Sequence, residues 1–512
     1  MMEMVYGDAL RRNARKFPDK TAVICEGKRR TYREFNLRVN RLANALQKLG
    51  LSPKDHVATL SLNAVELMEV YFANLKLGTP IVPLNVRYLA PECLRYLRLM
   101  DSTVLVFQDR LADLVSSIRD QLARVKAFIC FGEKNPSFAQ SLEDLIAGGS
   151  EEEPAAEVSE RSPAFIIATG GTTGFPKGAV LTHRNFLWNT INTTAEGQNP
   201  LLEDVIIYPL PLYYGAAVSR LLSSIYVGST FIVMQDFDAR KCLQIIEKEK
   251  GTAIIGNATI WASLIAEKET RVYDTSSMKM WYSAMGALPL VMKEKVSQFL
   301  FPGANPFIGY GLTEATGGVT FLKPHDTPRE PGSSGRAVYS CEVKIVDEAD
   351  RELPAGEVGE ILVRGPIVID QYYNNPEETA KTFRGGWLHT GDLGKLDDLG
   401  FLYIVSRLKD MIKSGGINIY ALEVEEALTR HPQVAEAAVI GVPHEKWGEA
   451  VMAIVVLKKG QNPSEQEIID HCRKHLASYK KPTAVAFVES LPKTPIGKVM
   501  KNVLRDQYGK SK

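Results

Sequence analysis

The 512-residue sequence has only six cysteines, at positions 25, 93, 130, 242, 341 and 472, and none forms a CxxC pair. Thiols scattered in this way exclude a disulfide scaffold and a structural zinc site of the usual ligand spacing, and they fit a reducing compartment. No segment reaches 18 uninterrupted apolar residues; the most apolar long stretch, 216–234, is broken by Arg220, several serines and Gly228. It reads as buried core and not as a membrane span. Charge of one sign is equally lacking, since 61 Lys and Arg oppose 60 Asp and Glu for a formal net charge of +1. That balance gives no whole-chain sign of a nucleic-acid partner and no solvating acidic tail. The 39 glycines and 27 prolines lie near average usage, which excludes fibrous and low-complexity classes. The first twenty residues lack the apolar run and small-residue cleavage site of a secretory leader, so the expected location is cytoplasmic. Internal repeats, an HExxH pair and a GxxxxGK[ST] phosphate loop are also missing.

What is present is ordinary globular material, 45% apolar and 24% charged, with length for three to four structural units. Thr31 with Glu34 forms a capping box, and Phe35, Val39, Leu42, Leu46 and Leu49 follow at helical spacing until Gly50. Short apolar runs at 56–60, 104–107 and 127–131 alternate with helical patterns, which predicts βαβ units and a mostly parallel sheet. Residues 146–163 are acidic and rich in small residues, as in a surface connection, and a second alternating series runs over 164–306. Gly-bounded strand patterns at 341–346, 359–364 and 400–405 predict a small β unit. After Arg407 a block of about 100 residues mixes helix (421–431, and a second capped by Ser464 with Glu467) with strand (435–442, 451–457, 484–488).

Chemistry concentrates first at Thr169-Gly170-Gly171-Thr172-Thr173-Gly174-Phe175-Pro176-Lys177-Gly178, directly after the apolar strand pattern 164–168. Glycines let backbone N–H groups approach a ligand closely, threonine hydroxyls donate to phosphate oxygens, and Lys177 supplies charge. A plain polar turn between strand and helix is the competing reading for this segment taken alone.

With that loop the sequence resembles the adenylate-forming enzymes, a family that includes acyl-CoA synthetases, peptide-synthetase adenylation domains and firefly luciferase. Gly170 stands where the family motif has serine, while Thr169, Thr172, Thr173 and Lys177 match. Further motifs follow in family order across essentially the whole chain. Tyr310-Gly311-Leu312-Thr313-Glu314 resembles the loop that binds adenine and the α-phosphate, with Glu314 as the Mg²⁺ ligand. Trp387 to Asp392 (WLHTGD) resembles the motif whose aspartate holds the ribose, Arg407-Leu408-Lys409-Asp410 the hinge motif, and Pro495-Ile496-Gly497-Lys498 the C-terminal lysine motif. The implied fold is a large N-terminal domain, 1–406, of two doubly wound α/β subdomains plus a small β-barrel. A mobile α+β domain, 407–512, would turn about Lys409.

The resemblance implies a carboxylic acid activated by ATP and Mg²⁺ as acyl-AMP and then passed to CoA. Two anions must meet in the first step, so Mg²⁺ at Glu314, Lys177 and Lys498 would spread positive charge over them, with Thr313 on phosphate. Gly286, Ala287, Tyr310 and Gly311 would line the nucleotide, and Asp392 and Arg407 the ribose. In the second step the C-terminal domain would withdraw Lys498 and bring in Lys413, Ser414, Gly415 and Gly416, the glycines leaving room for a pantetheine arm.

For the acid, the resemblance points to segments containing Tyr213, Tyr214, Asn257, Ala284, Met285 and Gly309. Glu314 is the one charged residue in them, so the expected pocket has no cation and suits a monocarboxylic acid with an apolar tail. Tyr214 replaces a histidine carried by many acyl-CoA synthetases. The missing aspartate early in 213–219 disfavours amino acids. Glycines 309, 311, 317 and 318 are expected to leave space, making a medium or longer fatty acid the first expectation and an aromatic or alicyclic acid the second. With no carrier motif after the C-terminal block, CoA is the expected thiol and a separate acyl-carrier protein the alternative; an inactive nucleotide-binding homologue and a luciferase-like oxygenase are the other classes. His183 is expected to be structural.

Overall fold

The computed structural model describes residues 3–170, 176–197, 201–286, 288–494, 497 and 499–509. Four sheets organise them. The first has seven strands in the order Gln140–Ser141, Ala127–Phe131, Val104–Gln108, Val57–Leu60, Ile81–Pro83, Pro163–Gly170 and Pro176–Thr182. It is parallel except for its last pair, an antiparallel hairpin that closes one edge. The second has nine strands, and its six central ones, from Thr21–Cys25 to Asn305–Leu312, are parallel.

These two sheets exchange strands across the chain. Thr21–Cys25, from the start of the sequence, pairs in parallel with Thr230–Val233, while Pro163–Thr182 joins the first sheet. Division of the sequence at 146–163 therefore does not divide the sheets. Long-range polar anchors fix the exchange: Tyr32 Oη donates to the Ser229 carbonyl at 2.7 Å, and Asn13 Nδ2 to that of Ile225 at 2.6 Å. The acidic connection is itself pinned to the helix Tyr32–Lys48, where Asn40 and Asn44 donate to backbone carbonyls of residues 150–152. Lys76, buried beneath it, pairs with Glu153 and donates to Asn36 and Asn40.

The expected small β unit is a five-stranded antiparallel sheet of Glu342–Val346, Gly359–Arg364, Phe383–Arg384, Trp387–Leu396 and Leu402–Arg407. The three-residue turn Leu408–Asp410 then leads into a separate sheet containing Met411–Ser414, Ile417–Tyr420, Val434–His444, Gly448–Leu457 and Ala484–Phe487. Helices Ala421–Thr429, Glu465–His475 and Lys501–Tyr508 accompany it, and the middle one starts with the expected Ser464–Glu467 capping box. All six cysteines are buried and free. Among the described residues no helix is long and apolar enough to cross a membrane, and no cluster of His, Cys, Asp or Glu could hold a metal by itself.

Candidate active site

Parallel strands of the second sheet end on one side, and the candidate residues gather there. The strand Asn305–Leu312 runs into the turn Thr313–Ala315. Gly311 is obligatory in this strand, because a Cβ there would sit 1.6 Å from the Gly317 carbonyl oxygen. The turn lies against the first residue of helix Gly215–Val227, where a Cβ on Gly215 would approach Thr313 Cγ2 to 3.2 Å. One backbone and one side-chain hydrogen bond lock the next residues: Ile369 N–H donates to the Glu314 carbonyl at 2.9 Å, and Thr316 Oγ1 to that of Ile367 at 2.6 Å.

Glu314 is held by a residue with no sequence motif of its own. Tyr372 Oη donates to Glu314 Oε1 at 2.9 Å. Burial, reinforced by the neighbouring Glu314 carboxylate, pushes the Tyr372 phenol well above its ordinary range, so it keeps the proton it donates. Oε2 of Glu314 has no hydrogen bond from the described residues, and a carboxylate so placed fits a hard divalent cation. Tyr372 also lies 5.2 Å from Lys177 Nζ in cation–π geometry, and Lys177 pairs with Glu378. Glu314, Tyr372, Lys177 and Glu378 thus form one continuous polar chain.

Lys177 stands on the second strand of the hairpin Pro163–Gly170 and Pro176–Thr182, directly opposite Thr169. The Gly- and Thr-rich segment therefore links two antiparallel strands; the helix starts only at His183. Gly170 and Pro176 are the last pair of this hairpin. Gly171, Thr172, Thr173 and Gly174 lie outside the described residues, as do Ala287 and Lys498. Thr169 Oγ1 is buried without a partner among the described residues.

A second group is built on paired strands. Asp392 and Arg407 are register partners, and Arg407 Nε lies 3.2 Å from Asp392 Oδ1. Tyr310 Oη donates to Asp392 Oδ2 at 2.8 Å, its phenol pushed well above the ordinary range by burial first and by Asp392 second. Asp392 is 8% exposed, which leaves a small carboxylate face bordered by a guanidinium. That donor and acceptor set suits vicinal hydroxyls.

Around the expected acid pocket, Tyr213 and Tyr214 pack with ring centroids 4.7 Å apart at the start of helix Gly215–Val227. Burial pushes the Tyr213 phenol up to about 12 and raises Tyr214 as well, so both remain neutral donors. Asn257 caps helix Ala258–Thr270, its Oδ1 accepting from Ile260 N–H at 3.1 Å. Ala284, Met285 and Gly286 follow the strand Met280–Ser283, and Met285 takes a left-handed φ of 68°. Such backbone costs about 1 kcal/mol or more for a non-glycine residue and concentrates at functional sites.

One expectation is corrected here. Glycines 309 and 318 do not open space in their Cβ directions, because added Cβ atoms would meet the Phe321 ring at 2.6 and 2.2 Å. Gly311 is used for close backbone approach instead, and Gly317 for a φ of 123°. Arg220, one turn beyond the segment 208–217, places its guanidinium 4.6 Å from the Tyr282 ring centroid.

The C-terminal unit presents two faces. Gly497, the neighbour of Lys498, sits against the start of helix Ala258–Thr270, where its Cβ would lie 2.8 Å from Thr259 Oγ1 and 3.6 Å from Asn257 Nδ2. Lys413, Gly415 and Gly416 lie elsewhere. Lys413 Nζ approaches Glu348 at 4.0 Å, and its backbone N–H donates to Glu449 at 2.8 Å. Gly415 and Gly416, with φ of 59° and 79°, join the paired strands Met411–Ser414 and Ile417–Tyr420. Two consecutive left-handed residues make a type I′ hairpin turn, which by itself requires the glycines. Gly415 N–H donates to the carbonyl of Trp447, an exposed ring stacked on His444 that no sequence motif had flagged. At the connection, Lys409 is lowered in pKa by burial and by Arg407, and Arg505 donates to the Lys409 carbonyl and pairs with Asp410 at 2.6 Å. His183 is fully buried, consistent with structural use.

The sequence matches the AMP-binding enzyme family over residues 10–373 and the AMP-binding enzyme C-terminal domain over residues 423–498. It is 36% identical over 483 residues to the long-chain-fatty-acid–CoA ligase FadD13 of Mycobacterium tuberculosis, covering 94% of this chain and 93% of that one. To a feruloyl-CoA synthase of an Amycolatopsis species it is 35% identical over 500 residues, covering 97% and 98%. Among solved structures, the anthranilate CoA ligase AuaEII in complex with anthranoyl-AMP gives a TM-score of 0.91 at 30% identity, covering 99% and 98%.

Proposed function

The chain belongs to the AMP-binding, adenylate-forming enzyme family, in its acid–CoA ligase branch, and we propose that it makes an acyl-CoA from a monocarboxylic acid in two steps. A carboxylate oxygen attacks the α-phosphorus of ATP, and the bond to the bridging oxygen breaks to release pyrophosphate. The CoA sulfur then attacks the acyl carbon, the acyl–phosphate bond breaks, AMP leaves and the thiol proton passes to solvent.

The observation that carries this reading is the gathering of three groups at one end of the second sheet. They are Thr313–Glu314 with Tyr372, Asp392 with Arg407 and Tyr310, and Gly497 seated on Asn257. Asp392 and Arg407 would hold the ribose, Thr313 the α-phosphate, and Thr169 and Lys177 the leaving phosphates. Glu314 would hold Mg²⁺, which supplies a hard positive charge next to the phosphate oxygens. Lys498 would bridge carboxylate and phosphate from the position to which Gly497 docks. The unit after Arg407 would then rotate about Lys409 and exchange this face for the Lys413–Gly416 turn. The short connection Leu408–Asp410 between two separate sheets supports such a hinge.

A medium or longer fatty acid is the first substrate class and an aromatic or alicyclic acid the second; the FadD13 and feruloyl-CoA synthase identities, 36% and 35%, do not separate them. AMP release measured across a panel of carboxylic acids, with and without CoA, tests the proposal. Acid-dependent AMP release stimulated by CoA is the expected result. No AMP with any acid, or turnover indifferent to CoA, would refute it.

A further inference from the structure

We infer that Glu378 promotes pyrophosphate release by taking Lys177 back from the leaving phosphates, and that the cavity outside this pair is the path by which pyrophosphate departs. The inference rests on the ligase reading above and deepens it at Lys177. Lys177 and Glu378 form an ion pair whose side chains are only 12% and 19% exposed. A lysine ammonium acts as a compact point charge, so a polyphosphate and this carboxylate compete for it.

Glu378 is held in place to compete. Its N–H donates to Asn375 Oδ1 at 3.2 Å, at the start of helix Pro376–Thr382. Thr379 Oγ1 donates to the Asn375 carbonyl at 2.7 Å and accepts from Tyr372 N–H at 3.0 Å. One short segment therefore sets Tyr372 on Glu314 and Glu378 on Lys177, the proposed metal ligand and the proposed phosphate cation. Lys177 stands between the Tyr372 ring, 5.2 Å from its Nζ, and a cavity of about 630 Å³. Lys177 and Glu378 line that cavity together with Glu377 and with Arg95 and Arg98 of helix Ala90–Leu99. Arg98 is exposed, and its Nη2 donates to the Gln121 carbonyl at 2.8 Å, which keeps its charge at the cavity. Once the bond to the α-phosphorus breaks, pyrophosphate is no longer tethered to the nucleotide. The carboxylate, always present at the site, then regains Lys177, and the product moves out past Arg98.

The test runs the first step backwards. Enzyme loaded with the acyl-adenylate of the most active acid is mixed with magnesium pyrophosphate in the absence of CoA, and ATP formation is followed over pyrophosphate concentration. In Glu378→Gln the half-saturating concentration should fall about fivefold, with Glu378→Asp between the two. Damage to the site would raise that concentration, so the direction of the change separates the inference from misfolding. Arg98→Glu reverses a charge at the cavity and should lower the second-order rate constant for pyrophosphate about threefold. A half-saturating concentration that Glu378→Gln raises or leaves within twofold would overturn the exchange of Lys177. A rate constant that Arg98→Glu does not lower would overturn the path. Absence of AMP from every acid with the wild-type enzyme would overturn the ligase reading and this inference with it.

Discussion

Tyr372→Phe removes one oxygen atom and tests whether Glu314 works through a positioned carboxylate. The ring is buried and packs on Phe383 with centroids 5.7 Å apart, so the phenylalanine should occupy the same space with little loss of stability. What disappears is the 2.9 Å hydrogen bond to Glu314 Oε1. A bond to a charged acceptor contributes about 1.5–3 kcal/mol, or roughly 10- to 150-fold in an equilibrium or rate constant. The loss should fall on kcat/KM for ATP and on the Mg²⁺ concentration needed for half-maximal rate, because Glu314 is the proposed metal ligand. The KM for the acid should stay within about twofold, since the Tyr372 hydroxyl bonds to Glu314 and not to Tyr213, Tyr214, Asn257 or Met285. Acid-dependent ATP–pyrophosphate exchange, titrated separately in ATP, Mg²⁺ and acid, gives all three quantities. A drop of less than about twofold in kcat/KM for ATP would refute the positioning role. An equal loss in the ATP and acid terms would show that the whole site had shifted instead.

Other substitutions follow from the same geometry. Gly311→Ala should destabilise the protein by more than about 3 kcal/mol, read as a lowered Tm, because its Cβ cannot share space with the Gly317 carbonyl without parting two paired strands; an unchanged Tm would contradict the reading. Burial pushes His183 down to about 4, while an unfolded histidine titrates near 6.5. Below pH 6.5 the unfolded chain binds the extra proton and the folded one does not, so stability falls with pH by about 3 kcal/mol in all between 6.5 and 4. Denaturant titrations of wild type and His183→Asn should show this slope in the former and its loss in the latter. Lys498→Ala should abolish most adenylation yet leave thioester formation from supplied acyl-adenylate largely intact; equal loss of both would contradict the exchange of faces.

Local signals in the sequence translate directly into structure. Thr31 with Glu34 and Ser464 with Glu467 each form both bonds of a capping box, since every partner lies within one turn. The strand patterns at 104–107 and 127–131 fall within observed strands for the same reason. Pairing is different. The meeting of Thr21–Cys25 with Thr230–Val233 depends on which sheet edge is open, and periodicity carries no record of that. In the site, residues inside contiguous motifs, such as Asp392, Arg407, Tyr310 and Thr313, are legible by resemblance. Tyr372, Glu378 and Trp447 are not, because each makes its contact across the fold from an unmarked segment. The glycines at 309 and 318 depart from the expectation for a related reason: an absent side chain suggests room for a ligand, but the Phe321 ring fills it.

The central claim is that a carboxylate oxygen attacks the α-phosphorus of ATP in the site formed by Thr313, Glu314, Asp392 and Arg407. Turnover of an acid labelled with ¹⁸O in its carboxylate, followed by mass spectrometry of the nucleotide product, tests that bond directly. The account predicts AMP carrying one ¹⁸O atom, with none in pyrophosphate. Unlabelled AMP, or formation of ADP with label in inorganic phosphate, would contradict it.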